Sequence, residues 1–344
     1  MISRAQTGER LASLLLLVSI ISCSLPEQKK VSKTEFVFGT PCTITLYGKN
    51  SESVIQKVFK RMRKLDEVLS THRDDSVVSD VNSRAGSGAM PIPEELFYVV
   101  RRGIAYSKLS DGAFDLSIGP VSKLWGISTE SPRVPSESEL RDALSLVDYR
   151  KVVLIEQERS ILLEKDGMSL DFGGIGKGYA ADVAISIVRE SSKKQALVNF
   201  GGNVAAFGAK PDESLWRVGI QHPEQPRGTS VAILEISDRT IVTSGKYERF
   251  FLEDGIRFHH ILDTTSGYPI ENGIASVTIV TDSSLKADAL STAVFAMGLD
   301  RGRELVQGFD GVEAVFVMED RSVFLTKGVK DIFTLIDSRY VVAD

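Results

Sequence analysis

Four glycines fall within six positions in the run Asp171-Phe172-Gly173-Gly174-Ile175-Gly176-Lys177-Gly178-Tyr179-Ala180-Ala181-Asp182. This run narrows the possible folds more than any other stretch. The apolar residues Ile161-Leu162-Leu163 before it read as a strand, and Ala180 to Val188 after it carry the apolar spacing of a helix. A strand, a glycine-rich turn and a helix therefore follow in order. Without Cβ atoms the turn lets backbone approach a ligand closely. The helix start offers N–H groups and the positive end of a dipole to an anion. Lys177 stands where an ammonium reaches a phosphate, and Asp171 where a carboxylate orients a ligand. The spacing is neither that of the P-loop nor that of the dinucleotide fingerprint, and a tight connection with nothing bound also satisfies it. The run needs partners elsewhere in the chain.

Alternating strands are expected at Thr43–Tyr47, Ala196–Phe200, 204–207, Trp216–Ile220, Val231–Ile236, Ile241–Thr243 and 276–280, with a further strand at 257–263. Amphipathic helices are expected at Ser51–Leu69, 93–109, 137–146 and 285–297. Val152–Ile155 and Ser160–Leu163 read as a hairpin, and 70–76 and 243–249 as polar turns. Strands joined by hairpin-like turns, with helices inserted between groups, predict an α+β fold. With no internal repeat and no low-complexity linker after Lys33, one compact unit spans 34–344. A net charge of −5 and the lack of a dense basic run give no reason to expect nucleic acid. Four His and two Cys make a zinc site of those residues a poor expectation.

Two further segments carry chemistry. Asp288 and Thr292 lie four apart, on one face of the 285–297 helix. A carboxylate and a hydroxyl are hard oxygen ligands suited to Mg²⁺. The same pair also fits a helix start in which Asp288 caps and Thr292 packs. His259 and His260 are adjacent on an expected strand, so only one of them faces a given site. That one is either a proton acceptor beside a phosphate or a hydrogen-bonded structural His.

At the N-terminus, Arg4, Glu9 and Arg10 precede the apolar run 11–21, which has the length of a signal-peptide core. The run ends at Ser22-Cys23, with Ile20 three positions before the Cys, and resembles the bacterial lipoprotein signal. The resemblance implies a signal peptide at 1–22 and lipid on the Cys23 thiol. Residues 23–33 then form a tether, and the folded part lies outside the cytoplasm, at the periplasmic face of the inner membrane. A lipidated Cys23 leaves Cys42 without a disulfide partner.

Eight motifs then occur in order. They are Phe38-Gly39-Thr40, Leu65-Asp66 through Arg73-Asp74-Asp75-Ser76, Gly112-Ala113-Phe114-Asp115 and the 171–178 run, followed by Asn199-Phe200-Gly201-Gly202-Asn203, Thr243-Ser244-Gly245, His260-Ile261-Leu262-Asp263 and 287–292. Together they resemble the FAD:protein FMN transferases, the ApbE/Ftp flavin-trafficking lipoproteins, over almost the whole mature chain. The resemblance implies a T-fold-like α+β architecture. It implies FAD as substrate, contacting Phe38, His72, Ala113, Phe114, Asp115, Asp171, Lys177, Ile261 and Leu262. Mg²⁺ would be held by the Gly174 carbonyl and the side chains of Asp288 and Thr292, and Asp288 and His260 would serve catalysis, His260 as proton acceptor. The partner would be a protein whose Thr receives FMN through a phosphoester while AMP leaves. His72 stands where many members place an aromatic residue that stacks on the flavin, and some relatives with a non-aromatic residue there hydrolyse FAD to FMN and AMP. Asp263-Thr264-Thr265-Ser266-Gly267 replaces the usual Asp-Pro-x-Thr-Gly. FMN transfer, FAD hydrolysis and non-catalytic flavin binding are the three readings, and the metal pair would have no purpose in the last.

Overall fold

Alternation at period two divides the central strands between two cores. Val242 and Ile279 point into one, and their neighbours Ile241 and Val280 into the other. The computed structural model describes residues 29–343, so Cys23 and the 1–22 signal segment lie outside the described residues. Nine strands form one sheet whose spatial order follows the chain: Lys30–Val37, Thr40–Tyr47, Ala196–Phe200, Asn203–Phe207, Thr240–Gly245, Ile274–Thr281, Glu313–Met318, Ser322–Leu325 and Val341–Ala343. Neighbours are antiparallel, except that the last two strands run parallel. Every residue of Ile274–Thr281 is buried, as expected of a strand covered on both faces.

Helices cover one face. Ser51–Leu69 buries Ile55, Val58, Phe59, Met62, Leu65 and Leu69, one stripe of its 3.6-residue period. Each such side chain contributes roughly 1.5–3 kcal/mol on leaving water. The helices Gly176–Glu190 and Ser284–Met297 pack beside it in the same core. A three-stranded sheet, Trp216–Gln221, Ser230–Ile236 and Phe333–Leu335, closes the second core on the other face. A third, small cluster joins Trp125, Leu140 and Leu262 to Phe251 and Phe258 of the hairpin Phe250–Glu253/Ile256–His259. The Trp125 indole N–H donates to the Gly267 carbonyl at 2.7 Å, so the turn at Gly267 is pinned although it lacks the usual Pro.

The α+β expectation stands, with several local corrections. The first strand starts at Lys30, inside the segment expected to be tether, because Lys30–Lys33 pair with Ile44–Tyr47. The glycine-led helix begins at Gly176 rather than Ala180, since Gly178 is needed for contact with its neighbour. The strand expected at 257–263 ends at His259, and Leu262 keeps only an isolated bridge to Pro269. Thr243–Gly245 belong to a strand rather than a turn. Three helices were not anticipated: Val77–Ser83, Gly119–Trp125 and Leu299–Gln307.

Candidate active site

The site is built where two helices cap each other. Asp182, on the glycine-led helix, accepts from the Ser284 N–H at 2.6 Å, the Leu285 N–H at 3.1 Å and the Ser283 hydroxyl at 2.8 Å. Its carboxylate thus closes the N-terminus of Ser284–Met297, where a negative charge is favoured. Burial pushes its pKa up, and those donors oppose the shift. In return, Asp288 accepts from the Gly178 N–H at 2.9 Å, in the first turn of the glycine-led helix. The exchange works because Gly178 has no side chain. A Cβ there would lie 2.3 Å from the Ser284 carbonyl oxygen and 2.7 Å from both Asp288 Cβ and Leu285 Cα. The Gly178 N–H, expected to face an anion, is therefore committed to Asp288.

With Oδ2 fixed in this way, Asp288 turns Oδ1 toward Lys177, whose ammonium is 3.8 Å away. Lys177 in turn donates to the Gly173 carbonyl at 2.7 Å, and Asp171 accepts from the Gly173 N–H at 2.7 Å. Thr292 donates to the Asp288 carbonyl one helical turn back at 3.3 Å, and its hydroxyl lies 3.4 Å from Ser244 Oγ. Gly174 sits against it, since a Cβ at Gly174 would be 2.9 Å from Thr292 Oγ1 and 3.1 Å from Phe114 Cε2. Among the described residues no group of three or more His, Cys, Asp or Glu could hold a metal ion. A cation here would instead use Asp288 Oδ1, the Thr292 hydroxyl and the Gly174 carbonyl. These are hard oxygens, and they fit Mg²⁺ rather than a soft metal.

The two histidines divide as strand geometry requires. His259 is buried, with its Nε2–H donating to the Ile270 carbonyl at 3.0 Å and its Nδ1 accepting from the Ile261 N–H at 3.3 Å, so it is structural. His260 faces the cavity. Its Nδ1 lies 3.2 Å from the Arg249 carbonyl, which can only accept, so Nδ1 carries the proton and Nε2 presents a lone pair. Removal of the ring from water, aided by the Arg249 charge, lowers its pKa to about 3. The imidazole is therefore neutral over the physiological range.

A cavity of about 1040 Å³ gathers these groups. Its walls bring together His72, Ala113, Phe114, Asp115, Asp171, Gly174, Lys177, His260, Ile261, Leu262, Asp288 and Thr292. Asp115 is fully engaged. It accepts from the Ser117 N–H and hydroxyl and from the Tyr149 N–H, so it shapes the wall rather than offering a free oxygen. Burial raises its pKa. Phe38 does not line the cavity. It occupies the left-handed region in the turn between the first two strands, with its N–H donating to Asp66 and its ring against the helical core. Several lining residues had no expected role, among them Asn203, Ser244 and Arg249. Asn203 and Ser244 lie within motifs that the sequence marks, and the signal missing there was burial.

The chain has relatives of known family and fold. Residues 38–316 match the model of the ApbE family. The chain is 33% identical to a FAD:protein FMN transferase of Treponema pallidum (strain Nichols), over 91% of each chain. It is also 33% identical to one of Klebsiella pneumoniae (strain 342), over 93% of this chain and 99% of that relative. Among solved structures, the ApbE protein of Thermotoga maritima superposes with a TM-score of 0.82 at 31% identity, covering 88% of this chain and 99% of that one. The apo flavinyl transferase ApbE of Pseudomonas stutzeri gives 0.78 at 32% identity, covering 90% and 98%. Matched along nearly its whole described length in both sequence and fold, the chain belongs to the ApbE family.

Proposed function

We propose that this protein is a Mg²⁺-dependent FAD:protein FMN transferase that esterifies an acceptor Thr with FMN and releases AMP. The observation that carries the reading is the reciprocal capping of the two helices. It sets Asp288, Thr292, Gly174 and Lys177 around one point of a cavity that also holds the free Nε2 of His260. Relatives that share the family carry the transferase name.

The pyrophosphate of FAD resists attack because its charges repel a nucleophile and because AMP leaves poorly while that charge is unscreened. Mg²⁺, when bound by Asp288, Thr292 and the Gly174 carbonyl, supplies charge neutralisation and orientation. Lys177 adds a fixed positive charge, held in place by the Gly173 carbonyl. The acceptor hydroxyl bonds to the FMN-side phosphorus while the bond from that phosphorus to the bridging oxygen breaks. His260 Nε2 takes the hydroxyl proton, and AMP departs with the bridging oxygen. A base with so low a pKa does not ionise the hydroxyl beforehand. It receives the proton as the new P–O bond forms and the hydroxyl becomes acidic.

Water in place of the acceptor gives FMN and AMP from the same site, and His72 in the cavity wall, where the family resemblance gives many members an aromatic residue, favours some of this hydrolysis. We also place the protein on a membrane through lipid at Cys23, with the site outside the cytoplasm. The test is a mass spectrum of products from residues 24–344 incubated with FAD and Mg²⁺, with and without a Thr-bearing acceptor domain. FMN mass added to the acceptor, with AMP released, is expected. Unchanged FAD in every sample refutes the reading.

A further inference from the structure

Asn203 is 2% exposed, yet among the described residues its side chain makes no hydrogen bond, and its Nδ2 is buried without a partner. Buried amides are almost always paired, so an orphan in a native core needs a reason. Its place in the fold supplies one. Asn203 opens the strand Asn203–Phe207 directly after the Gly201-Gly202 turn and lines the cavity. The turn is rigid. Both glycines have positive φ, the Asn199 side chain accepts from the Gly202 N–H at 3.0 Å, and a Cβ on Gly201 would lie 2.5 Å from Thr40 Oγ1. Val204 pairs with Ile241 in the neighbouring antiparallel strand. Continuing that register by one residue sets Asn203 opposite Val242, two residues from Ser244. Opposite residues share a face of the sheet, and so do residues two apart on a strand. Asn203 therefore faces the same side as Ser244, whose hydroxyl touches Ser291 and Thr292. This is the helix-covered side that holds Asp288 and Lys177.

We propose that the Asn203 carboxamide donates a hydrogen bond to a phosphoryl oxygen of the bound flavin nucleotide. The proposal rests on the transferase reading above and adds a phosphate-binding residue to it. The chemistry follows from the inventory of donors. An Nδ2–H₂ group can only donate, so the missing partner is an acceptor oxygen. The Lys177 ammonium, on this side of the cavity, is the group toward which a nucleotide would turn its anionic oxygens. The site waits with one donor unpaired, and the ligand completes it.

The experiment compares wild type, Asn203→Leu and Asn203→Ala. Dissociation constants are measured with Mg²⁺ for FAD, FMN and riboflavin by flavin fluorescence, together with the melting temperature of each ligand-free protein. A hydrogen bond to a charged oxygen corresponds to about a tenfold to hundredfold weakening when removed. Both variants are expected to lose that much affinity for FAD and FMN and to bind riboflavin as wild type does. The Leu variant, matched in size, is expected to melt no lower than wild type, because replacing an unpaired buried amide with an apolar group removes an unmet donor. Equal losses for all three flavins, unchanged FAD binding, or failure of both variants to fold would each overturn the assignment. If wild type binds FAD and the variants match it, the Asn203 role alone falls. If wild type does not bind FAD, the transferase reading falls with it.

Discussion

Gly178→Ala tests the helix pair on which the site depends. The added methyl would meet the Ser284 carbonyl oxygen at 2.3 Å and Leu285 Cα at 2.7 Å, both backbone atoms, and Asp288 Cβ at 2.7 Å. Overpacking costs about 1–3 kcal/mol where side chains can yield, and backbone yields less, so the cost lies at the top of that range. Moving the helices apart relieves the clash but lengthens the charge-assisted bond from Gly178 N–H to Asp288, worth about 1.5–3 kcal/mol. One movement trades the first loss against the second, so they do not add, and about 3 kcal/mol is the expected destabilisation. At about 2 °C per kcal/mol in a large domain, the melting temperature falls by roughly 6 °C. A displacement of Asp288 near 1 Å costs about 10²-fold in transfer rate. Gly103→Ala is the control. It also lies within a helix, but the atoms nearest its Cβ would be those of the Leu116 side chain, the closest at 3.1 Å, rather than backbone. Its gain in helix propensity, about 1 kcal/mol, offsets that contact. Calorimetry and FMN transfer to an acceptor domain read both effects. A Gly178→Ala protein that melts and transfers like wild type would refute the close packing and its role.

Asp288→Ala is expected to abolish both transfer and hydrolysis at ordinary Mg²⁺ concentrations, and full activity in that variant would discard the metal assignment. His260→Ala is expected to slow transfer far more than it weakens FAD binding. Equal losses would make His260 a binding residue only. His260 binds its proton more weakly folded, at about 3, than at its ordinary 6.5. Its linkage contribution is therefore constant above about pH 6.5, and stability is lost as pH falls from there toward 3. The melting temperature of His260→Gln should fall less between pH 7.5 and 5 than that of wild type, and parallel curves would contradict the low pKa. Cys23→Ala is expected to move the protein from the membrane fraction to the soluble fraction. An unchanged distribution would remove the lipid proposal.

Local periodicity carried much of this fold. The Ser51–Leu69 helix was legible because its apolar residues repeat at helical spacing, and Asp288 and Thr292 were legible as a pair because four residues span one turn. The Val77–Ser83 helix was not, since seven residues hold too little period to stand out from a polar loop. The Gly119–Trp125 helix is equally short, although Pro120 in its first turn is a helix-start signal. The contact between Gly178 and Asp288, and the three bonds from Asp182, join segments about a hundred residues apart and have no local signature. Phe38 followed its motif into the expected site but not into the cavity, because the turn it occupies points its ring to the core. Asn203 directly follows a glycine turn, and nothing local in the sequence signals that its side chain is buried.

The mutual capping of two helices also sets when the site exists during the life of a chain. Asp182 leaves the ribosome about a hundred residues before the Ser284 N–H that it caps. Until then the glycine-led helix lacks the acceptor for its Gly178 N–H, and the groups proposed to hold the pyrophosphate are not assembled. A nascent or clipped chain ending before Ser284 would carry Lys177 and the glycine run but neither Asp288 nor Thr292. A chain crossing a membrane unfolded would thus stay inert toward FAD on the side where it is made, and activity would arrive in a single step once the segment from Ser284 onward has folded.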